Sequence, residues 1–128
     1  MASFVIATVA TATYTEMSVG CVGCVYLAAL DLSDMDTSGV TGMGCMFRGC
    51  SSLASLDLSS LDTSGVTSMY YMFQGCSNLE TIYAGEGFAT TQVTESSYMF
   101  YGCEKLVGGA GTRYSSNYTD KTRARNDK

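Results

Sequence analysis

The chain has no histidine, no proline and no tryptophan, and only 15% of its 128 residues carry charge. The missing histidine excludes the most, because it removes the usual general base and the commonest metal ligand. Neither a Ser-His-Asp nor a Cys-His nucleophile arrangement can be assembled within the chain. A zinc site of the Cys2His2 type is excluded as well. Long apolar runs are also missing: no stretch approaches the ~20 apolar residues of a membrane-spanning helix, so no membrane insertion is expected. The opening "MASFVIATVATATYTEM" has no basic n-region, so no signal peptide is visible.

What remains is 46% hydrophobic, enough for one domain with a core of its own. The net charge of −5 is unevenly spread. Residues 1–112 carry ten acidic side chains against two basic ones, Arg48 and Lys105, whereas residues 113–128 carry five basic against two acidic. A body of that sign repels phosphate, so no nucleic-acid partner is expected. The closing "KTRARNDK" reads as a solvated terminus.

The main signal is repetition. "MFRGC" at Met46–Cys50 returns as "MFQGC" at Met72–Cys76 and as "MFYGC" at Met99–Cys103. A shift of 26 places "LDLSDMDTSGVTGM" (from Leu30) on "LDLSSLDTSGVTSM" (from Leu56). The third copy is one residue longer, and "AGEGFA" supplies two glycines to absorb the excess. Upstream, "TEMSVGCVGC" and "FVIATVATATYT" fall on the same columns, which places Phe4 with Leu30, Val5 with Asp31 and Cys24 with Cys50. Repeats are therefore expected at about 1–26, 27–52, 53–78 and 79–106, with a Gly/Ser-rich, basic extension over 108–128.

Each copy has the same internal pattern. Leu56-Asp57-Leu58 alternates as a strand does, with its leucines inward. "DTSG" is turn chemistry. Val66, Met69, Tyr70 and Phe73 lie at i, i+3, i+4 and i+7, which predicts a helical segment with Thr67 as N-cap and Gly75 at its C-terminal end. A strand, a turn and a helix in 26 residues fit the leucine-rich repeat range of about 20–29. The expected fold is thus an α/β repeat: a leucine-rich-repeat solenoid of about four coils over residues 1–107, with one parallel sheet and a helical face. Its expected core comprises Leu30, Leu32, Leu56, Leu58, Phe47, Phe73, Phe100 and the column Cys24, Cys50, Cys76 and Cys103.

With those residues in view, "SSLASLDLSSLDTSGVTSMYYMFQGCSNL" resembles the repeat of the BspA-like leucine-rich repeat surface proteins of bacteria, with Leu61 where that pattern has Phe. "LVGGAGTRYSSNYTDKTRAR" is similar to the segment that often follows the last repeat in such proteins. The resemblance implies display at a cell surface and adhesion to host or microbial partners, and it brings no catalytic residues with it.

Several residues invite a functional reading. The cysteine column reads as buried thiols, since side chains pointing the same way on parallel strands give poor disulfide geometry. Cys21 and Cys45 depart from the column, and "CVGC" at Cys21–Cys24 lacks the βαβ context of a redox motif. "DMDTSG" at Asp34–Gly39 echoes the start of a calcium loop but has Cys45 where the bidentate Glu belongs, so a hydrogen-bonded turn is expected instead. No cofactor, metal or enzymatic activity is expected. The outward strand column Val5, Asp31, Asp57 and Tyr83 is one candidate binding surface, and Asp31 beside Asp57 calls for something to offset their repulsion. Tyr70, Tyr71, Tyr98 and Tyr101 form another, tyrosine being rich in rigid contact area with a polar tip.

The N-terminal edge, with Phe4, Ile6 and Val9, is apolar where a terminal repeat should be polar, so self-association or burial in a larger assembly is expected there. Two function classes follow. One is a surface-displayed or extracellular adhesion module that holds a protein or glycan; the other is a structural or decoration component of an assembly such as a phage virion or fibre.

Overall fold

A computed structural model describes residues 5–7, 29–33, 35–108, 114–116 and 119. Four short strands occur: β1 (Val5–Ala7), β2 (Ala29–Asp31), β3 (Ser55–Leu58) and β4 (Thr81–Ala84). They pair in parallel as two separate two-stranded sheets, β1 with β2 and β3 with β4. In β3 the leucines of the "LDL" alternation are buried, while Ser55 and Asp57 face solvent. The repeat period sets its register with β4, where Leu56 lies opposite Ile82 and Asp57 opposite Tyr83. The first pair departs from the expected column. Ile6 lies opposite Leu30 and Ala7 opposite Asp31, an offset of 24, so neither Phe4 with Leu30 nor Val5 with Asp31 is the observed match. A slip of two leaves a strand's alternation intact, so the hydrophobic pattern could not have fixed it.

The expected four-coil solenoid with a single sheet and a helical face is overturned, for no helix occurs among the described residues. The reason lies in where the amide protons go. Met43, Cys45, Phe47 and Gly49 donate to the carbonyls of Ser68, Tyr70, Met72 and Gln74 at 2.8–2.9 Å. Met69, Tyr71, Phe73 and Gly75 donate in the same way to Glu95, Ser97, Met99 and Tyr101 at 2.8–3.0 Å. The intervening amides of Met46, Arg48 and Cys50 turn back to carbonyls three residues earlier. A helix needs each amide bonded four residues back, and here every second amide is committed to the next repeat.

Positive φ reverses the chain's handedness twice per repeat: at Cys45, Tyr71 and Tyr98 (61°, 54° and 55°), and at Gly49, Gly75 and Gly102 (76°, 77° and 84°). Gly75 therefore ends a turn and not a helix. Thr67 caps nothing, as its amide and hydroxyl both donate to the Thr41 carbonyl of the preceding repeat. Consecutive turns still bury Met69, Met72, Phe73 and Cys76 on one side, and Met43, Met46, Phe47 and Cys50 likewise, a spacing that a helix would share.

The core is a set of ladders. Phe47, Phe73 and Phe100 stack at 5.6 and 5.4 Å with near-parallel rings. Leu32, Leu56, Leu58, Leu53, Leu61 and Leu79 fill the space around them, and Leu30 and Ile82 pack at the margin. Each buried leucine or phenylalanine contributes about 1.5–3 kcal/mol relative to exposure.

The third repeat accommodates its extra residue through Gly85 and Gly87. A Cβ on either would lie 2.6 Å from the carbonyl oxygen of Ser59 or Leu61, so only glycine permits the approach. At the far end, residues beyond the last repeat take over the bonding that a next repeat would supply: the Phe100 amide donates to the Thr119 carbonyl and the Gly102 amide to the Tyr114 hydroxyl.

Candidate functional site

The turn column at Cys45, Tyr71 and Tyr98 builds the most distinctive surface. Left-handed φ is uncommon for residues other than glycine, asparagine and aspartate, and bulky side chains rarely adopt it. Two tyrosines nevertheless occupy it here, and the geometry stacks their rings at 5.6 Å with planes 6° apart. Tyr70 meets the edge of this pair at 5.7 Å, and Tyr101 stands perpendicular to Tyr98 at 5.6 Å. The Arg48 guanidinium lies over Tyr71, 5.3 Å from its centroid. Tyr98 and Tyr101 remain 50% and 46% exposed, and Tyr70 37%, which makes one aromatic face of contacting rings.

Gly44 positions this face. A Cβ there would penetrate the Tyr70 ring, so the ring lies on bare backbone of the preceding repeat. Nothing in the repeat pattern singled Gly44 out, since its column holds Tyr70 in the next copy; the clue available was that one column sets the smallest residue directly before a ring.

The strand column behaves differently. Asp31 accepts from the amide and hydroxyl of Ser33 at 2.9 and 2.6 Å, and Asp57 accepts from the Ser59 amide at 2.9 Å. These serines, hydroxyl first, hold both carboxyls below their usual value of 3.8, outweighing the repulsion of Asp57 by Asp31. The offset that the aspartate pair requires thus comes from each residue's own turn. Tyr83, beside Asp57 in the sheet, is 57% exposed and apart from the ring contacts of the tyrosine ladder. Of the N-terminal candidates, Ile6 sits in β1, while Phe4 and Val9 lie outside the described residues, as do Cys21 and Cys24.

The "DTSG" segment is a hydrogen-bonded turn. Asp36 accepts from Ser38, and Asp62 from Ser64, through both amide and hydroxyl. Its threonine has a role that the sequence pattern did not reveal. Thr37, 1% exposed, donates to the Asp62 carbonyl and accepts from the Asp62 amide, both at 2.9 Å. Thr63 does the same with Ala89 at 2.7 Å.

The column cysteines are packing groups. Cys45, Cys50, Cys76 and Cys103 form no disulfide, and burial pushes the thiols of Cys76 and Cys103 up to about 12. Among the described residues no cluster of three His, Cys, Asp or Glu is placed to hold a metal ion. A groove of about 470 Å³ lies at the far end, lined by Glu80, Glu104, Lys105, Leu106, Val107 and Tyr114.

No curated protein and no solved structure matches the chain. A family model does, over residues 15–124, the span of the repeats that build the aromatic face and of the residues that close the last of them. The chain therefore belongs to the family described as "Mycoplasma protein of unknown function, DUF285".

Proposed function

We propose that the protein is a non-enzymatic binding module that holds a protein or glycan on the aromatic face formed by Tyr70, Tyr71, Tyr98 and Tyr101. One observation carries this reading: two tyrosines are kept in left-handed backbone, where a non-glycine residue costs on the order of 1–3 kcal/mol, yet Tyr98 is half exposed. A side chain held at that cost and left in water serves what it meets outside. Tyrosine suits the task, offering large contact area with little rotamer entropy to lose. The strand-face aspartates fit a supporting role, their carboxylates already engaged by Ser33 and Ser59. The resemblance of the repeats to BspA-like surface proteins supports display outside a cell.

The test is capture of the purified chain on an oligosaccharide array and on immobilised extracellular-matrix proteins, beside the double variant Tyr71→Ser/Tyr98→Ser. Binding to some member of either panel, lost at least about tenfold in the variant, is expected. Binding that survives in the variant, or that appears on neither panel, contradicts the proposal.

A further inference from the structure

Resting on that reading, we infer that the partner presents arginine or lysine, and that the corner between Tyr98 and Tyr101 receives this cationic side chain. The molecule contains the precedent: Arg48 lies over Tyr71 in the contact that a guanidinium makes with a tyrosine face. Tyr71 is thereby engaged already, by Arg48 and by Tyr98. Tyr98 occupies the same position one repeat later. The residues closing the last repeat bond to the backbone of Phe100 and Gly102 and leave Tyr98 and Tyr101 about half exposed. Their rings meet edge to face, at 90° with centroids 5.6 Å apart, and about half of each residue's surface stays open to a planar cation.

Charge points the same way. The whole chain carries twelve acidic groups against seven basic ones, a net charge of −5 and a field that attracts cationic segments and repels acidic ones. Arg48 is already placed over Tyr71, and Lys105 donates to the Asn78 side chain at 2.8 Å. Glu95, three residues before Tyr98, is kept ionised by its bonds from Ser97, backbone amide first. A saccharide needs open ring faces, and in this ladder Tyr71 already meets Arg48 and Tyr98. A basic polypeptide segment needs one open ring and a negative surround.

The experiment uses the full chain and two fluorescent peptides of alternating glycine and arginine or glycine and citrulline, the second being shaped like the first but uncharged. Fluorescence anisotropy should give about tenfold tighter binding for the arginine peptide, weakening as salt rises. Tyr98→Ser/Tyr101→Ser should abolish that preference while the chain still unfolds cooperatively, and Tyr98→Phe/Tyr101→Phe should retain it, because the ring and not the hydroxyl meets the cation. Equal binding of both peptides, or a preference that survives in the serine variant, overturns the inference. If the array and matrix capture still depends on Tyr71 and Tyr98 while the peptides bind equally, the cation is wrong and the aromatic face stands. If neither depends on the tyrosines, both fail.

Discussion

A threonine hydroxyl and an aspartate carboxylate in the same "DTSG" turn do different work. Thr63 is buried and closes two bonds to Ala89 of the next repeat, so removing its hydroxyl strands a part-buried amide and carbonyl. Thr63→Val is expected to cost about 1–3 kcal/mol in urea-induced unfolding, more than Thr67→Val, whose hydroxyl is exposed. The aspartates instead set a pH dependence. Asp31, Asp36, Asp57 and Asp62 are all held below 3.8 by serine hydroxyls and then serine amides. The folded chain therefore takes up protons less readily than the unfolded chain. Whatever stability these carboxylates contribute is present above about pH 4 and is lost as pH falls through the lowered values. The urea midpoint should fall with acid in that range, and Ser38→Ala/Ser64→Ala should flatten the fall. A midpoint with the same acid dependence in that variant would remove these turns from the account. At this scale the sequence was legible for the aspartates, since Asp-x-Ser is local turn chemistry. It was silent on Thr37 and Thr63, because their partners lie about 25 residues away.

At the scale of the element, the helical stripe was right for Val66, Met69 and Phe73, which are buried, wrong for Tyr70, which is exposed, and wrong in its backbone. Met69, Met72, Phe73 and Cys76 do share a buried side, but a run of turns provides it, and spacing does not distinguish that from a helix. What decides the outcome is an amide bonded across to the next repeat, which no single repeat contains. The strands were legible where burial alternates, in β3, and misplaced by two residues where β1 meets β2. Two outcomes follow from the observed elements. Gly87→Ala would press a methyl group against the Leu61 carbonyl, and its unfolding free energy should drop by about 1–3 kcal/mol. Alkylation of the native protein near neutral pH should label the partly exposed Cys45 and spare the buried Cys76 and Cys103, whose thiols stay protonated up to about 12. Peptide mapping by mass spectrometry reads this directly, and rapid labelling of Cys76 or Cys103 would mean the ladder opens.

At the scale of the whole molecule, order comes from each repeat satisfying its neighbour, so the ends matter most. The last described repeat is closed by Tyr114 and Thr119, and truncation after Gly108 should expose the Phe100 and Gly102 amides and lower the urea midpoint. The aromatic face is likewise a property of several repeats together. It was foreseen as a set of tyrosines, but Gly44 and the left-handed φ that arranges the rings were not, since both depend on contacts between copies. The central claim is that Tyr98, with Tyr71 stacked against it, is kept where the backbone is strained for what the aromatic face meets outside. Glycine at both positions tests it most directly, in one preparation measured for unfolding and for capture on the array and matrix panels. Relief of left-handed strain, about 1–3 kcal/mol per site, should roughly offset the lost ring contacts and the added chain entropy. Tyr71→Gly/Tyr98→Gly is therefore expected to unfold at a midpoint close to the parent's while capture falls at least about tenfold. A variant that unfolds far more easily, or that binds as the parent does, would make the tyrosines part of the scaffold and contradict the account.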